Sequence, residues 1–297
     1  MVKTMNNNID INIKSIEAFK NISNESIANI KANSILYNYK IGQPICKENI
    51  IPNQVLVILS GEARLIDGGL QESSTVSILK PDNFIGLASI LCAKGCESIS
   101  ASTDVMVLAI ADKVILDLYF KEKSFNEWCN SNIQIAETYE IASKLNQSLS
   151  KLDLSIKELV ELLLSNLSLR IINNGDLLET KNDVINIIGS NNIIDLEIGN
   201  IVDSTCNIVT RGPLPARIFS LNKSFYQKLS KSNSLDKNKQ DLPKFSSKDV
   251  IDGPLILDKT NEKIGQYDQN KEFKLISAKG TLLESLACLQ MLAIELN

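Results

Sequence analysis

Histidine is absent from all 297 residues of this chain. Its absence removes the commonest general base, the usual activator of a serine or cysteine nucleophile, and the commonest metal ligand. An enzyme built on this sequence must work with carboxylates, lysine or cysteine. Cysteine is present, at positions 46, 92, 96, 129, 206 and 288, but in no metal-binding pattern. Cys92 and Cys96 have no histidine and no second pair beside them, which argues against a zinc site. In a chain of this length without a secretion signal, free buried thiols are expected rather than a disulfide framework. Cys288 lacks the histidine partner that an activated thiol needs and falls on the apolar side of a helical pattern, so it reads as structural. Long hydrophobic runs are also missing. The longest, Val105 to Phe120, is broken by Asp112, Lys113 and Asp117, and nothing reaches the length of a membrane span. Met1 to Asn12 has no apolar core of a signal peptide. A basic surplus is lacking too: the net charge is -4 and the sequence pI about 5.2, so no chain-wide nucleic-acid footprint is expected. There is neither a P-loop nor a dinucleotide fingerprint. The expectation is a non-enzymatic cytoplasmic protein without a cofactor or metal.

What is present is a β-rich centre between Val55 and Ile110. Val55 to Leu59 is a continuous, β-branched apolar run, read as a buried strand. Ser60-Gly61-Glu62 turns it, and Ala63 to Ile66 returns. Asp67-Gly68-Gly69 is a loop tip with strong turn chemistry. Thr75 to Leu79 is the next strand, and Ile99 and Val105 to Ile110 supply the last two. Between them lies one short helical turn that starts at Gly86. Upstream, Ser34 to Tyr39 alternates apolar and polar as a half-buried strand should. Gly42 and Pro44 mark a turn, and the apolar residues from Ile13 to Ile30 predict two short helices, the second capped by Asn24 or Ser26.

Downstream, helices are predicted from Asp112 to Phe120, from Ser124 onward with Phe125 and Trp128, and from Ile133 to Leu149. The lone Trp128 reads as core, with an indole N–H that needs a partner. Ser155 is placed to cap an apolar helix from Ile156 to Leu167. The texture then changes to short strand candidates: Leu169 to Ile172, Val184 to Ile188, Ile193 to Ile198, Cys206 to Val209 and Ala216 to Phe219. They suggest a second, smaller β-rich unit, conceivable as a degenerate duplicate of the first. Lys223 to Phe245 reads as a polar linker. Beyond it come short strand candidates and an amphipathic helix from Thr281 to Leu296, whose apolar side wants a partner. The fold class is thus α+β and mostly β. Its parts are an arm at 1–12, a helix-flanked roll at 13–130, helices plus the second β-rich unit at 131–225, a linker at 226–246, and short strands with a terminal helix at 247–297.

The central pieces, Leu79-Lys80-Pro81-Asp82-Asn83-Phe84-Ile85-Gly86-Leu87-Ala88-Ser89-Ile90-Leu91 and Ser98 to Ile110, resemble the cyclic nucleotide-binding domain, a jelly-roll-like β-roll whose short helix cradles a cyclic phosphate. The resemblance implies a phosphate cassette at Phe84, Gly86, Leu87, Ala88, Lys94, Gly95 and Ser98. The family pattern places Gly-Glu at the helix start and an arginine about six residues before the alanine of an Ala-x-Thr-Asp segment. Here Gly86 is followed by Leu87, and counting back from Ala101-Ser102-Thr103-Asp104 puts the arginine position at Gly95, next to Lys94. Glu97 adds a repelling charge. The cassette therefore reads as degenerate, with a cyclic nucleotide as the one small ligand that the resemblance raises.

Arg211-Gly212-Pro213-Leu214-Pro215-Ala216-Arg217-Ile218 and Leu283 to Ala293 resemble the front part of bacterial peptidase-domain ABC exporters. This implies a regulatory or docking module associated with ABC exporter subunits at the inner face of the plasma membrane. A homo-oligomer through helices in 112–149 is a further expectation. A working cAMP or cGMP sensor and a transcription regulator of the same roll family are the alternatives. Against the last, Ile156 to Leu169 is apolar and acidic where a recognition helix needs basic residues.

Overall fold

The computed structural model describes residues 11–68, 74–149 and 154–232. The predicted arm up to residue 10, most of the linker and everything from 247 to 297, including Cys288 and the terminal helix, lie outside the described residues.

The chain enters through two 3-10 turns, Ile13–Ser15 and Glu17–Phe19, and helix α1, Asn24–Ala32. The cap of α1 is Ser23 rather than Asn24 or Ser26. Its hydroxyl accepts the Ser26 N–H, satisfying one of the donors that a helix start leaves open. Eight strands then build the roll: β1 Ser34–Tyr39, β2 Pro44–Cys46, β3 Gln54–Ser60, β4 Ala63–Asp67, β5 Ser74–Leu79, β6 Phe84–Ile85, β7 Ile99–Ala101 and β8 Val105–Ala111. They form two antiparallel sheets, ordered β1-β8-β3-β6 and β2-β7-β4-β5. The run Val55 to Ile58 is buried throughout because one face of its sheet meets the other sheet and the opposite face meets the flanking helices. The short helix α2, Leu87–Leu91, follows β6. Its cap, Gly86, is left-handed at φ 89°, and a Cβ there would lie 2.8 Å from the Pro52 ring. Glycine is required on both counts.

After the roll come α3 Asp112–Lys121, α4 Lys123–Ser131, α5 Ile135–Ser148 and α6 Ile156–Leu164. Ser155 and Glu158 close a capping box at α6, as the pattern of a serine three residues before a glutamate predicts. Helix α5 crosses the open side of the roll, with the Tyr139 hydroxyl donating to Asp67 at 2.8 Å.

The second β-rich unit consists of β9 Ser168–Ile172, β10 Leu177–Leu178, β11 Val184–Ile188, β12 Ile201–Val202, β13 Cys206–Asn207 and β14 Ala216–Asn222. Its sheets read β9-β14-β11-β12 and β10-β13. That is the first roll's order with β9 in the place of β1, β14 of β8, β11 of β3 and β12 of β6. The turn before the fourth strand repeats to the hydrogen bond. Ile58 N–H donates to Asn83 O, Asp82 N–H to Ile58 O, and Lys80 N–H to the Asn83 side chain. Their counterparts are Ile188 with Asn200, Gly199 with Ile188, and Glu197 with the Asn200 side chain. Two pieces have no counterpart: the β4–β5 hairpin and helix α2. The predicted strand Ile193 to Ile198 is instead a turn segment that keeps one isolated bridge, Ile193 with Thr210.

The start of the predicted linker is helical. Helix α7 spans Lys223–Ser232. Asn222 accepts from both the backbone and the hydroxyl of Ser224, and Leu229, Phe225 and Tyr226 pack onto the core. Those three apolar residues at helical spacing outweighed the polar composition around them. The two β units share one hydrophobic core, which runs from Leu56 and Ile58 to Ile187, Phe219 and Leu221.

Candidate functional site

The cassette is assembled where β6, α2 and the loop from 92 to 98 meet under α5. Phe84, Gly86, Leu87, Ala88, Gly95 and Ser98 are brought together there, but none presents a charge. Leu87, at the position where the family pattern has glutamate, is fully buried in apolar surroundings. Phe84 meets Phe19 edge to face and Trp128 at a 48° tilt.

Gly95 stands where counting placed an arginine, and no side chain fits. A Cβ built there would lie 2.2 Å from the Ile50 backbone nitrogen, because the 47–51 loop is tied to Gly95 by the Asn49 N–H to Gly95 O hydrogen bond of 2.9 Å. Contacts to backbone cannot be relieved by a rotamer change. The arginine is therefore excluded by packing as well as by sequence.

Lys94 is engaged elsewhere. Its ammonium pairs with Glu140 of α5, so the one cation of the candidate set is turned to a carboxylate of the covering helix.

The residue that decides the site is Glu97, which enters the sequence reading only as a repelling charge. Its side chain is 2% exposed, and its Oε2 accepts the backbone N–H of Gly86. Cys46 Sγ lies 3.9 Å from the same oxygen. An internal carboxyl group thus takes the N–H that opens α2. Burial, aided by the nearby Glu137, pushes the carboxyl up to about 8. The Gly86 and Ala88 N–H groups and the Ser89 hydroxyl pull the other way. Desolvation wins, so near neutrality Glu97 is largely the neutral acid.

Beside Glu97 lies a cavity of about 300 Å³ between the roll and the α4–α5 turn. Leu65, Leu79 and Ile99 form its roll side, and Phe84 and Trp128 its aromatic wall. Among the described residues, Glu17, Asp82 and Glu97 are its titratable lining groups, and no lysine or arginine lines it. Trp128 sits at ring-centroid distances of 5.2 Å from Phe84 and 6.4 Å from Phe125.

A second buried cluster joins the cassette to the smaller β unit. Arg217 of β14 makes a two-pronged pair with Glu137 of α5 and donates to Cys129 O at 3.1 Å. Glu137 also accepts from Cys92 at 3.4 Å and from its own helix start at Gln134, 2.8 Å away. Asn191 N–H donates to Cys92 O at 2.7 Å. The covering helix, the cassette and the second unit are thus one hydrogen-bonded body. Tertiary contact alone reveals this, since Glu137 and Arg217 lie 80 residues apart. Among the described residues no group of histidine, cysteine and carboxylate side chains is placed to hold a metal, and no helix is long and apolar enough to cross a membrane.

Residues 36–122 match the family model for the cyclic nucleotide-binding domain. Solved structures with similar folds include the regulatory domain of Toxoplasma gondii PKA with cAMP, at 9% identity, covering 73% of this chain and 90% of that one with a TM-score of 0.36. A cyclic nucleotide-binding domain from Methylobacillus flagellatus matches at 19% identity over 39% of this chain and 67% of that one, TM-score 0.33. The Thermus thermophilus catabolite activator protein matches at 18% identity over 44% and 68%, TM-score 0.33. No protein of curated function matches the chain.

Proposed function

We propose, from a cyclic nucleotide-binding domain at residues 36–122, that this protein is a non-enzymatic regulatory module that has given up the cyclic nucleotide. The observation that carries this is Glu97: its carboxyl group holds the Gly86 N–H that would otherwise be open to a phosphate. An incoming cyclic nucleotide finds no arginine, no free lysine and no ribose-accepting glutamate at Leu87. Each missing charge-assisted hydrogen bond is worth about 1.5–3 kcal/mol, so two of them weaken binding by on the order of a hundredfold or more. A phosphate also meets the exposed carboxylates of Asp82 and Glu17 around the cavity. With the cradle filled from within and α5 fastened by Arg217, the module holds its covered state without ligand. Its regulatory output then depends on what binds the protein rather than on cAMP or cGMP.

Calorimetric titration of the full chain with cAMP and cGMP tests this. No saturable heat up to about millimolar nucleotide is expected, and micromolar binding by the wild-type protein refutes the proposal. Docking onto an ABC-type exporter is the partner proposal that accompanies this reading. Among the described residues it is supported only by the sequence resemblance at Arg211 to Ile218, of which Arg217 also serves the buried pair. Co-purification with a defined exporter complex supports it, and a monomer that ignores that complex counts against it.

A further inference from the structure

We propose that the cavity beside Glu97 is a binding site for a small organic cation. The inference uses the same placement of Glu97 but does not require the loss of nucleotide binding. The cavity's position, size and lining chemistry make the case together.

The volume, about 300 Å³, is at the small end of ligand pockets. One wall is aromatic: Phe84 and Trp128 stand 5.2 Å apart at a 48° tilt, with Phe125 stacked behind the indole. Aromatic faces attract cations through the ring quadrupole, most strongly with indole and where water is excluded. Among the described residues the titratable lining groups are all acidic: the exposed carboxylates of Glu17 and Asp82 and the buried carboxyl of Glu97. The cations of this region do not compensate them, because Lys94 is paired to Glu140 and Arg217 to Glu137. A ligand cation brought beside Glu97 favours its charged form, reversing the effect of burial.

Cyclic nucleotides and other phosphate esters are the wrong charge for this cavity. A small quaternary or primary amine has the right charge and size.

Trp128 is the chain's one tryptophan, so its fluorescence reports this wall directly. The probes are choline, its uncharged isostere 3,3-dimethylbutan-1-ol, and the anion 3,3-dimethylbutanoate, each titrated into the full chain. Choline is expected to change the emission saturably and to bind about tenfold tighter than the alcohol, a preference worth about 1.4 kcal/mol. The anion is expected to bind least. Glu97→Gln should reduce the preference of choline over the alcohol about threefold or more, the remainder being held by the aromatic wall and the exposed carboxylates. Asp82→Asn, at the exposed mouth, should reduce choline affinity about twofold to fivefold, and it keeps the test open if Glu97→Gln fails to fold. No saturable change with choline on folded protein, equal affinity for choline and the alcohol, or a choline preference that Glu97→Gln leaves undiminished overturns the inference. Failure with choline leaves the nucleotide proposal standing, and micromolar cAMP binding refutes that proposal without touching this one.

Discussion

Replacing Glu97 by glutamine isolates the effect of burying one carboxyl group. Glutamine keeps the shape and an acceptor for the Gly86 N–H and removes only the titration. In the native protein burial pushes the Glu97 carboxyl from an ordinary 4.5 up to about 8. Between those values the native state holds a proton that the unfolded chain has released. The unfolding free energy contributed by Glu97 is therefore fully present below about pH 4.5 and is lost as pH rises through about 8. One pH unit inside this window corresponds to about 1.4 kcal/mol, so the whole window is worth roughly 3–5 kcal/mol. Other titrating groups are common to both proteins and cancel in the difference. Urea unfolding of wild type and Glu97→Gln should therefore give stability curves that diverge with rising pH. The variant should gain on wild type by about 2–3 kcal/mol between about pH 5.5 and 7.5. Curves that stay parallel across this range would show that Glu97 titrates normally and is solvated, and the filled cradle would fall with it.

The other predictions concern the neighbours of the cassette. Gly95→Ala should destabilise the protein by about 1–3 kcal/mol, because the new methyl meets the Ile50 backbone at 2.2 Å and neither side can rotate away; a urea midpoint unchanged from wild type would contradict this. Arg217→Met leaves Glu137 buried and unpaired, at a cost of about 3–5 kcal/mol, and adding Glu137→Gln should recover a substantial part of it. Non-recovery would mean that Arg217 acts mainly by packing. Lys94→Ala should cost about 1 kcal/mol or less, since its pair with Glu140 is partly solvated; a loss of several kcal/mol would place Lys94 in a role that the pair with Glu140 does not explain.

The sequence alone determined the roll. Strand pattern in the first unit is legible because a strand buried on one or both faces must show it: Val55 to Leu59, Ala63 to Ile66 and Val105 to Ile110 declare themselves by alternation or by continuous β-branched runs. The helices at Asp112 and Ser155 carry their own start signals. The loss of the two nucleotide-holding charges is equally a matter of residue identity at Leu87 and Gly95. Two-residue strands such as β6, β10 and β12 were illegible, because two residues show no period, and helix α7 was hidden by its polar composition. The candidate site was only half readable. Why Gly95 must be glycine depends on the 47–51 loop, and where Lys94 points depends on α5. Glu97 reads in the sequence as a repelling charge, and it is a buried acid that accepts the Gly86 N–H. The pair of Arg217 with Glu137 joins distant stretches of chain, and no local pattern links the two residues. Local periodicity and turn chemistry act over a few residues and are written in the sequence. Burial, and with it the pKa of Glu97 and the partner of each charge, is set by what long-range packing brings alongside.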